Sequence, residues 1–452
     1  MRVGIETMTP VHIGTGNQHD TLYYHIENNI ETGGYTCYFL DIQKIVGALS
    51  ALNQQAFSQW VDEAAIEFSQ SDNKNVSNAR KKFTLASFMK DRLGIPEIEC
   101  SKLLTSGEGV RYSAPVKSEQ GNRYLIVEHV RTPDHNLFIP GSSLKGAIRT
   151  ALGFRMIGNM EQGRRSIILK SVMSRISEEY PNRIGRAEEL IDEQVFNCSG
   201  EKGYRQYFDL MKFISVSDSF LKELTPCIYQ VSTITENKRG SSTYNVQNLN
   251  LFEMIDGGLK GKLLFHVNFN YEQFRAVAGR GEWQLLDEKC RLAFGVSAKE
   301  LVEMKAEADV FVVKQCFDAL GELGAMVLRH DMKWAEQRFG TMDPVFKMFK
   351  GIEKEIPAMT FKIGYASGFH AMTYYCLREY RETEHDFHGL YKEIIRKQKL
   401  DVPISRRRSV AEDREVMDST VSMFPSSRRF VTGVKNELIS PIGWVKPVIL
   451  DK

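Results

Sequence analysis

Hydrophobic positions change period several times along the chain. Val3 and Ile5 alternate with polar neighbours, and Tyr35–Leu40 is a β-rich run behind the Gly33-Gly34 turn, so residues 2–40 read as strands. From Ile42 the spacing becomes helical. Ile42, Ile45, Val46, Leu49 and Leu52 form one stripe, and Phe57, Trp60, Val61, Ala64, Ala65 and Phe68 form another. A polar stretch at Ser69–Asn78 precedes a third helical segment around Ala79–Leu93, which Gly94 and Pro96 end. Strand signals return at Arg123–Val130 and Leu137–Ile139. Residues 160–212 are mixed and mostly helical. Phe213–Val216, Cys227–Thr235 and Lys262–Phe269 then read as strands, with a polar hairpin tip at 235–243, and residues 272–350 are helical. Strands interrupted by helical excursions predict an α+β sandwich.

The pattern divides the chain into residues 1–41 and 97–271 as the first part of a core, 42–96 as a helical insertion, 272–360 as a helical region, and 361–452 as the closing part of the core. The last of these carries a basic segment at 391–410, with seven Lys/Arg against two acids. Lys+Arg is 59 and Asp+Glu is 57, a net charge of +2, so any polyanion must meet a local patch rather than a globally basic protein. Seven cysteines are scattered without a C-x-x-C pair, which argues against structural zinc and for reduced thiols in a cytoplasmic setting. No signal peptide is visible at the start, and no apolar run approaches membrane-span length.

The richest stretch is Phe138–Leu152. It reads as a strand end, a Pro140-Gly141 turn, a serine cap at Ser142 or Ser143, and a helix. Leu144, Ile148, Ala151 and Leu152 share one helical face, and Lys145 and Arg149 stand one turn apart beside it. Free backbone N–H groups, the helix dipole and two cations suit a phosphate, and RNA is the first ligand to consider. Two catalytic look-alikes fail. Ser142 and Lys145 have S-x-x-K spacing, but Ser71-Asp72-Asn73 precedes them and no K-T-G follows. Gly141 to Gly146 has P-loop spacing, but Ala147 stands where the lysine belongs.

This stretch and the opening Met8-Thr9-Pro10-Val11-His12-Ile13-Gly14-Thr15-Gly16 resemble the RAMP superfamily of CRISPR effector proteins. Val216-Ser217-Asp218-Ser219, Lys362–Phe369 and Pro441–Lys446 follow in an order similar to the fifth Csm subunit of type III-A complexes. The resemblance implies a modified ferredoxin-like, RRM-related core with a protruding β-hairpin thumb and helical insertions. It implies antiviral defence: a non-catalytic scaffold that binds the 3′ part of the CRISPR RNA and aids its maturation. The implied partners are the CRISPR RNA, target RNA, a neighbouring Csm backbone subunit, the small Csm subunit and a recruited host nuclease. Neither membrane nor cofactor is implied.

Candidate RNA contacts follow. His12, Gly14 and Gly16 suit a loop that lets another backbone come close. Ser142, Ser143, Lys145 and Arg149 form the helix-start site. Lys238 and Arg239 lie at the hairpin tip, which in this superfamily wedges between bases. Gly364 and Gly368 flank a small-residue loop. Arg406, Arg407 and Arg428 are basic residues near the end. Asp218 reads as a cap that holds a turn, and Trp444 as core. No metal-ligand set or catalytic constellation is expected. Two rivals stand beside the scaffold reading. One is a metal-dependent endoribonuclease using Asp20, which falls about where related backbone subunits carry a cleaving aspartate. The other is a protein-only assembly adaptor.

Overall fold

The computed structural model describes residues 1–29, 34–70, 83–117, 125–178, 187–196, 209–220, 224–236, 244–260, 263–279, 283–355, 359–379, 425, 427–433 and 436–451. Its strands are β1 (Arg2–Thr7), β2 (Gly14–His19), β3 (Tyr24–Asn29), β4 (Gly34–Leu40), β5 (Val110–Val116), β6 (Ile126–His129), β7 (Phe138–Ile139), β8 (Ile214–Val216), β9 (Ser219–Phe220), β10 (Cys227–Glu236), β11 (Tyr244–Met254), β12 (Leu263–Phe269), β13 (Phe361–Lys362), β14 (Arg428–Thr432), β15 (Leu438–Pro441) and β16 (Trp444–Asp451).

One antiparallel sheet runs β13-β16-β1-β12-β8. Its centre is β1, the strand that the Val3/Ile5 alternation predicts, and both side chains are fully buried. β12 alternates as a strand with one covered face must, with Leu263, Phe265, Val267 and Phe269 inward. The second sheet runs β2-β6-β11-β10-β5-β4-β3, and β14 and β15 branch from β10. Two of its pairs, β10 with β5 and β11 with β6, are parallel. The β10–β11 hairpin pairs from Cys227↔Met254 to Glu236↔Tyr244, bulging between Gln230 and Ser232. Its predicted tip, including Lys238 and Arg239, lies outside the described residues.

Between β4 and β5 sits a helical lobe of α1 (Ile42–Gly47), α2 (Ala51–Gln70), α3 (Leu85–Asp91) and α4 (Glu97–Thr105). Leu40, Trp60, Leu85, Phe88, Met89, Cys100 and Leu104 bury together as a small core of its own. The lobe therefore continues past Pro96, the residue at which the pattern ends it, because Cys100 and Leu104 on α4 complete that core. α3 starts later than the period suggests. Thr84 caps it, its hydroxyl accepting from the Ser87 N–H.

The other helices form a platform over the first sheet. They are α5 (Gly141–Asn159), α6 (Gln162–Glu178), α7 (Ala187–Phe196), α8 (Tyr271–Ala278), α9 (Trp283–Phe294), α10 (Ala298–Glu303), α11 (Glu307–Phe339), α12 (Pro344–Glu353) and the short α13 (Gly368–Met372). Their punctuation is legible locally. Ser297 and Glu300 make a reciprocal capping box for α10, Gly340 at φ 86° ends α11, and Asp343 with Pro344 opens α12. α5 buries Leu144, Ile148, Ala151 and Leu152 completely, against α11 and the large shared core. Cys37, Cys100, Cys227, Cys290, Cys316 and Cys376 are buried free thiols. No helix among the described residues is long and apolar enough to cross a membrane.

Candidate nucleic-acid interface

The fold brings distant motifs into contact through backbone atoms. The Pro140-Gly141 turn docks on the Val216–Ser219 segment. Ile139 pairs with Ser219, and the Gly141 N–H donates to the Asp218 carboxylate at 2.7 Å. A Cβ on Gly141 would lie 2.3 Å from the Val216 carbonyl oxygen and 2.6 Å from that of Ser217, so only glycine fits. Asp218 thus acts as the expected cap. The serine cap is corrected: α5 starts at Gly141 after Pro140 with no side-chain cap of its own, and Ser142 and Ser143 lie in its first turn. The positive end of the helix already meets one carboxylate.

The opening motif, the Lys362–Phe369 loop and the closing segment interlock in the same manner. The Tyr365 N–H donates to the His12 carbonyl at 2.7 Å, Ile363 N–H to Gly443, and Gly443 N–H to Pro10. Gly364 takes φ 74°, and a Cβ there would sit 2.4 Å from the His12 oxygen. Trp444 is fully buried as expected. Its N–H donates to the Thr9 hydroxyl, and its carbonyl accepts from Met8 and Thr9.

Under this junction lies a polar core. Glu253 on β11 is fully buried and accepts from Arg131 Nη2 at 2.7 Å, Tyr112 OH at 2.8 Å and the His129 N–H at 2.9 Å. The His12 side chain is buried and its Nδ1 donates to the Glu253 carbonyl. Burial pulls the His12 imidazole down to about 4, against that hydrogen bond, and pulls His129 down to about 3 with help from His12. Burial and the Glu253 charge push the Tyr112 phenol up. What the opening motif exposes is the backbone of edge strand β2, where Gly14 and Gly16 are open to solvent and Gly16 takes φ 92°.

The cations separate into two kinds. Lys145 is half-buried beside exposed Ser142 and Gly146, and it makes no ion pair with any described residue. The expectation that Arg149 joins it as a second solvent-facing cation needs correction. Arg149 bridges Asp192 at 2.7 Å and Asp209 at 2.9 Å over the Phe196 ring, which ties α5 to α7 and to the turn before β8. Arg428 is likewise turned inward. It meets buried Asp331 at 2.6 Å, Lys362 reaches the other oxygen of the same carboxylate at 3.0 Å, and Trp334 lies under the guanidinium. Burial alone would raise the Asp331 carboxyl, but the two cations hold it below its usual value. Gly368 is exposed at φ 81° with open space around it. Arg406 and Arg407 lie outside the described residues.

Three residues of consequence escape the sequence reading. Glu253 and Asp331 look like ordinary acids until their burial is seen. Arg429, next to Arg428, lies exposed with its guanidinium 4.6 Å from the Tyr365 ring centroid. Strand alternation between Arg428 and Arg429 is the signal that would separate their roles.

Two curled sheets, a helical platform and a glycine-mediated docking of motifs define an α+β protein built around a backbone-accessible edge and a helix-start cation. The sequence profile of the RAMP superfamily matches residues 4–311, more than half of the chain, and the protein belongs to that superfamily. No curated protein matches the sequence. Among solved structures the fold is similar to a chain of a Csm–crRNA–target RNA ternary complex of a type III-A CRISPR–Cas system, with 19% identity, TM-score 0.61 and 99% of both chains covered. It is also similar to Csm5 of T. onnurineus, with 16% identity and TM-score 0.55, covering 99% of this chain and 100% of that one.

Proposed function

We propose that this chain is a non-catalytic RNA-binding scaffold subunit of a type III-A CRISPR effector, at the end that holds the 3′ part of the CRISPR RNA. The observation that carries the reading is the end-to-end fold likeness to a chain of a Csm–crRNA–target RNA complex, on a chain that belongs to the RAMP superfamily. Its partners in this reading are the CRISPR RNA, target RNA, a neighbouring Csm backbone subunit and the small Csm subunit, and it aids guide maturation through a recruited nuclease. Lys145, Ser142 and Gly146 on the first turns of α5 form one contact: a charge with no carboxylate partner among the described residues, beside a residue with no side chain to hold a phosphate off. The backbone of β2 at Gly14–Gly16, the Gly364–Gly368 loop and the 236–243 hairpin tip expected from the sequence are further candidates.

The test is guide-RNA binding by the full chain across a salt series. Lys145→Ala should weaken binding alike for all guide sequences and flatten the salt slope by about 0.7, one phosphate on a single strand. An unchanged slope with an intact fold removes Lys145 from the interface. Absence of guide binding by the wild type would leave the adaptor reading in its place. The nuclease rival is tested at Asp20, which accepts from the neighbouring Thr21 hydroxyl at 2.9 Å just after β2. Asp20→Ala should leave the number and position of target-RNA cuts by the assembled complex unchanged. Loss of one specific cut would make this chain a ribonuclease.

A further inference from the structure

The hairpin strands β10 and β11 and the strand β14 present two unlike faces. Ile234, Tyr244, Val246 and Phe430 point into the helical platform. The opposite face carries polar side chains in register. Gln247 pairs with Thr233, and Thr233 pairs with Arg429, so the three stand in one row across three strands. Thr235 and Asn245 form the next row towards the hairpin tip. Gln247, Asn245 and Arg429 are exposed and the two threonines are half-exposed.

Arg429 differs from the other arginines that anchor this half of the molecule. Arg131, Arg149, Arg155 and Arg428 each lie against a carboxylate. Arg429 makes no ion pair with a described residue and is held instead by the Tyr365 ring, which itself packs on Phe252 at 4.6 Å. Among the described residues its guanidinium is therefore oriented but not neutralised. A cation in that state, at the end of a row of amide and hydroxyl groups, suits a single-stranded polyanion: it can bond a phosphate along its edge and stack a base on its plane.

We propose that the row Gln247–Thr233–Arg429, with Arg429 mounted on Tyr365, is a second RNA track, separate from the start of α5, that crosses β11, β10 and β14. The proposal rests on the RNA-binding reading above. Its test uses the full chain and a labelled single-stranded RNA of guide length, titrated across a salt series. Arg429→Ala should weaken binding roughly four-fold near 0.15 M salt and flatten the slope by about 0.7, as one lost phosphate contact requires. Arg429→Lys should restore the slope, because the charge returns. Gln247→Glu should weaken binding in the wild type and by a smaller factor in the Arg429→Ala background, because both act on one strand of RNA. If Arg429→Ala melts like the wild type and keeps its affinity and slope, the track is overturned while the RNA-binding reading stands. If it loses a partner Csm subunit but no RNA affinity, the row is a protein interface and the track is again overturned. If the wild type binds no RNA, both readings fall.

Discussion

The motif junction and the helical lobe are built on opposite plans. At the junction, residues hundreds of positions apart meet through backbone hydrogen bonds, as Trp444 and Thr9 do, and the interior holds charge: Glu253, Asp331 and Lys362 are all buried. The lobe is assembled from neighbours between residues 40 and 110, its interior is apolar, and it leaves Leu52, Ile66, Ile98 and Leu103 exposed. Buried ions tolerate little rearrangement, since a displaced partner strands a charge away from water. Apolar side chains in a local bundle can shift and still be covered. The junction should therefore respond to single substitutions as a unit of the whole fold, and the lobe as an appendage.

The sharpest way to break this comparison is Asp331→Ala. It leaves Lys362 and Arg428 buried without their shared carboxylate and detaches α11 from β13 and β14. Loss of one member of a buried ionic group costs about 3–5 kcal/mol. Urea unfolding should show a loss of that size across the whole cooperative transition, reported equally by signals from the platform and from the sheets. A loss under about 1 kcal/mol would mean that the triad is not what holds the closing strands.

Protons provide a milder probe. His12 and His129 are neutral in the fold, with pKa values pulled to about 4 and about 3 by burial, whereas an unfolded histidine titrates near 6.5. Between those values the unfolded chain binds more protons than the folded one. Stability is thus fully present above about 6.5 and falls as pH drops towards 4, by up to about 1.4 kcal/mol per pH unit for each histidine. Urea midpoints measured between pH ~7.5 and ~5 should follow this slope, and His129→Gln should flatten it. The wild-type slope persisting in that variant would place the proton uptake elsewhere. No lobe histidine is available to repeat the effect among the described residues 42–70 and 83–105.

Much of the fold was legible because its signals are local. The period of α5, the alternation of β1 and β12, and the turn residues that end helices each act within a few positions. The docking of motifs was not, because it depends on which carbonyl lies where a Cβ would go. Gly141 and Gly364 declare themselves as turn glycines in the sequence, but not that Ser217 and His12 are what they admit. Charge was the least legible property. Lys145 and Arg149 look equivalent one turn apart, yet Asp192 and Asp209, 43 and 60 residues beyond Arg149, take up only the second. Arg428 and Arg429 look equivalent side by side, yet pleating sends one to Asp331 and the other to Tyr365.

The smallest expected effect on stability belongs to the surface of the lobe. Leu52 on α2 and Ile98 on α4 are each 75% exposed, so they contribute little to the core beneath them. Single exposed apolar residues are common on any protein. Here they coincide with an unevenness of charge: the first two helices, 42–70, carry Lys44 against Asp62, Glu63 and Glu67, a poor surface for RNA. The double variant Leu52→Ser, Ile98→Ser should therefore melt within about 0.5 kcal/mol of the wild type and keep its RNA affinity and salt slope. In the scaffold reading, its recovery in complex with the proposed Csm partners should drop several-fold, because the lobe then lacks the apolar contacts that a protein partner would cover. If the variant binds less RNA and assembles normally, the lobe is part of the RNA path, and the division between a charged junction that holds the fold and an apolar lobe that meets proteins is wrong.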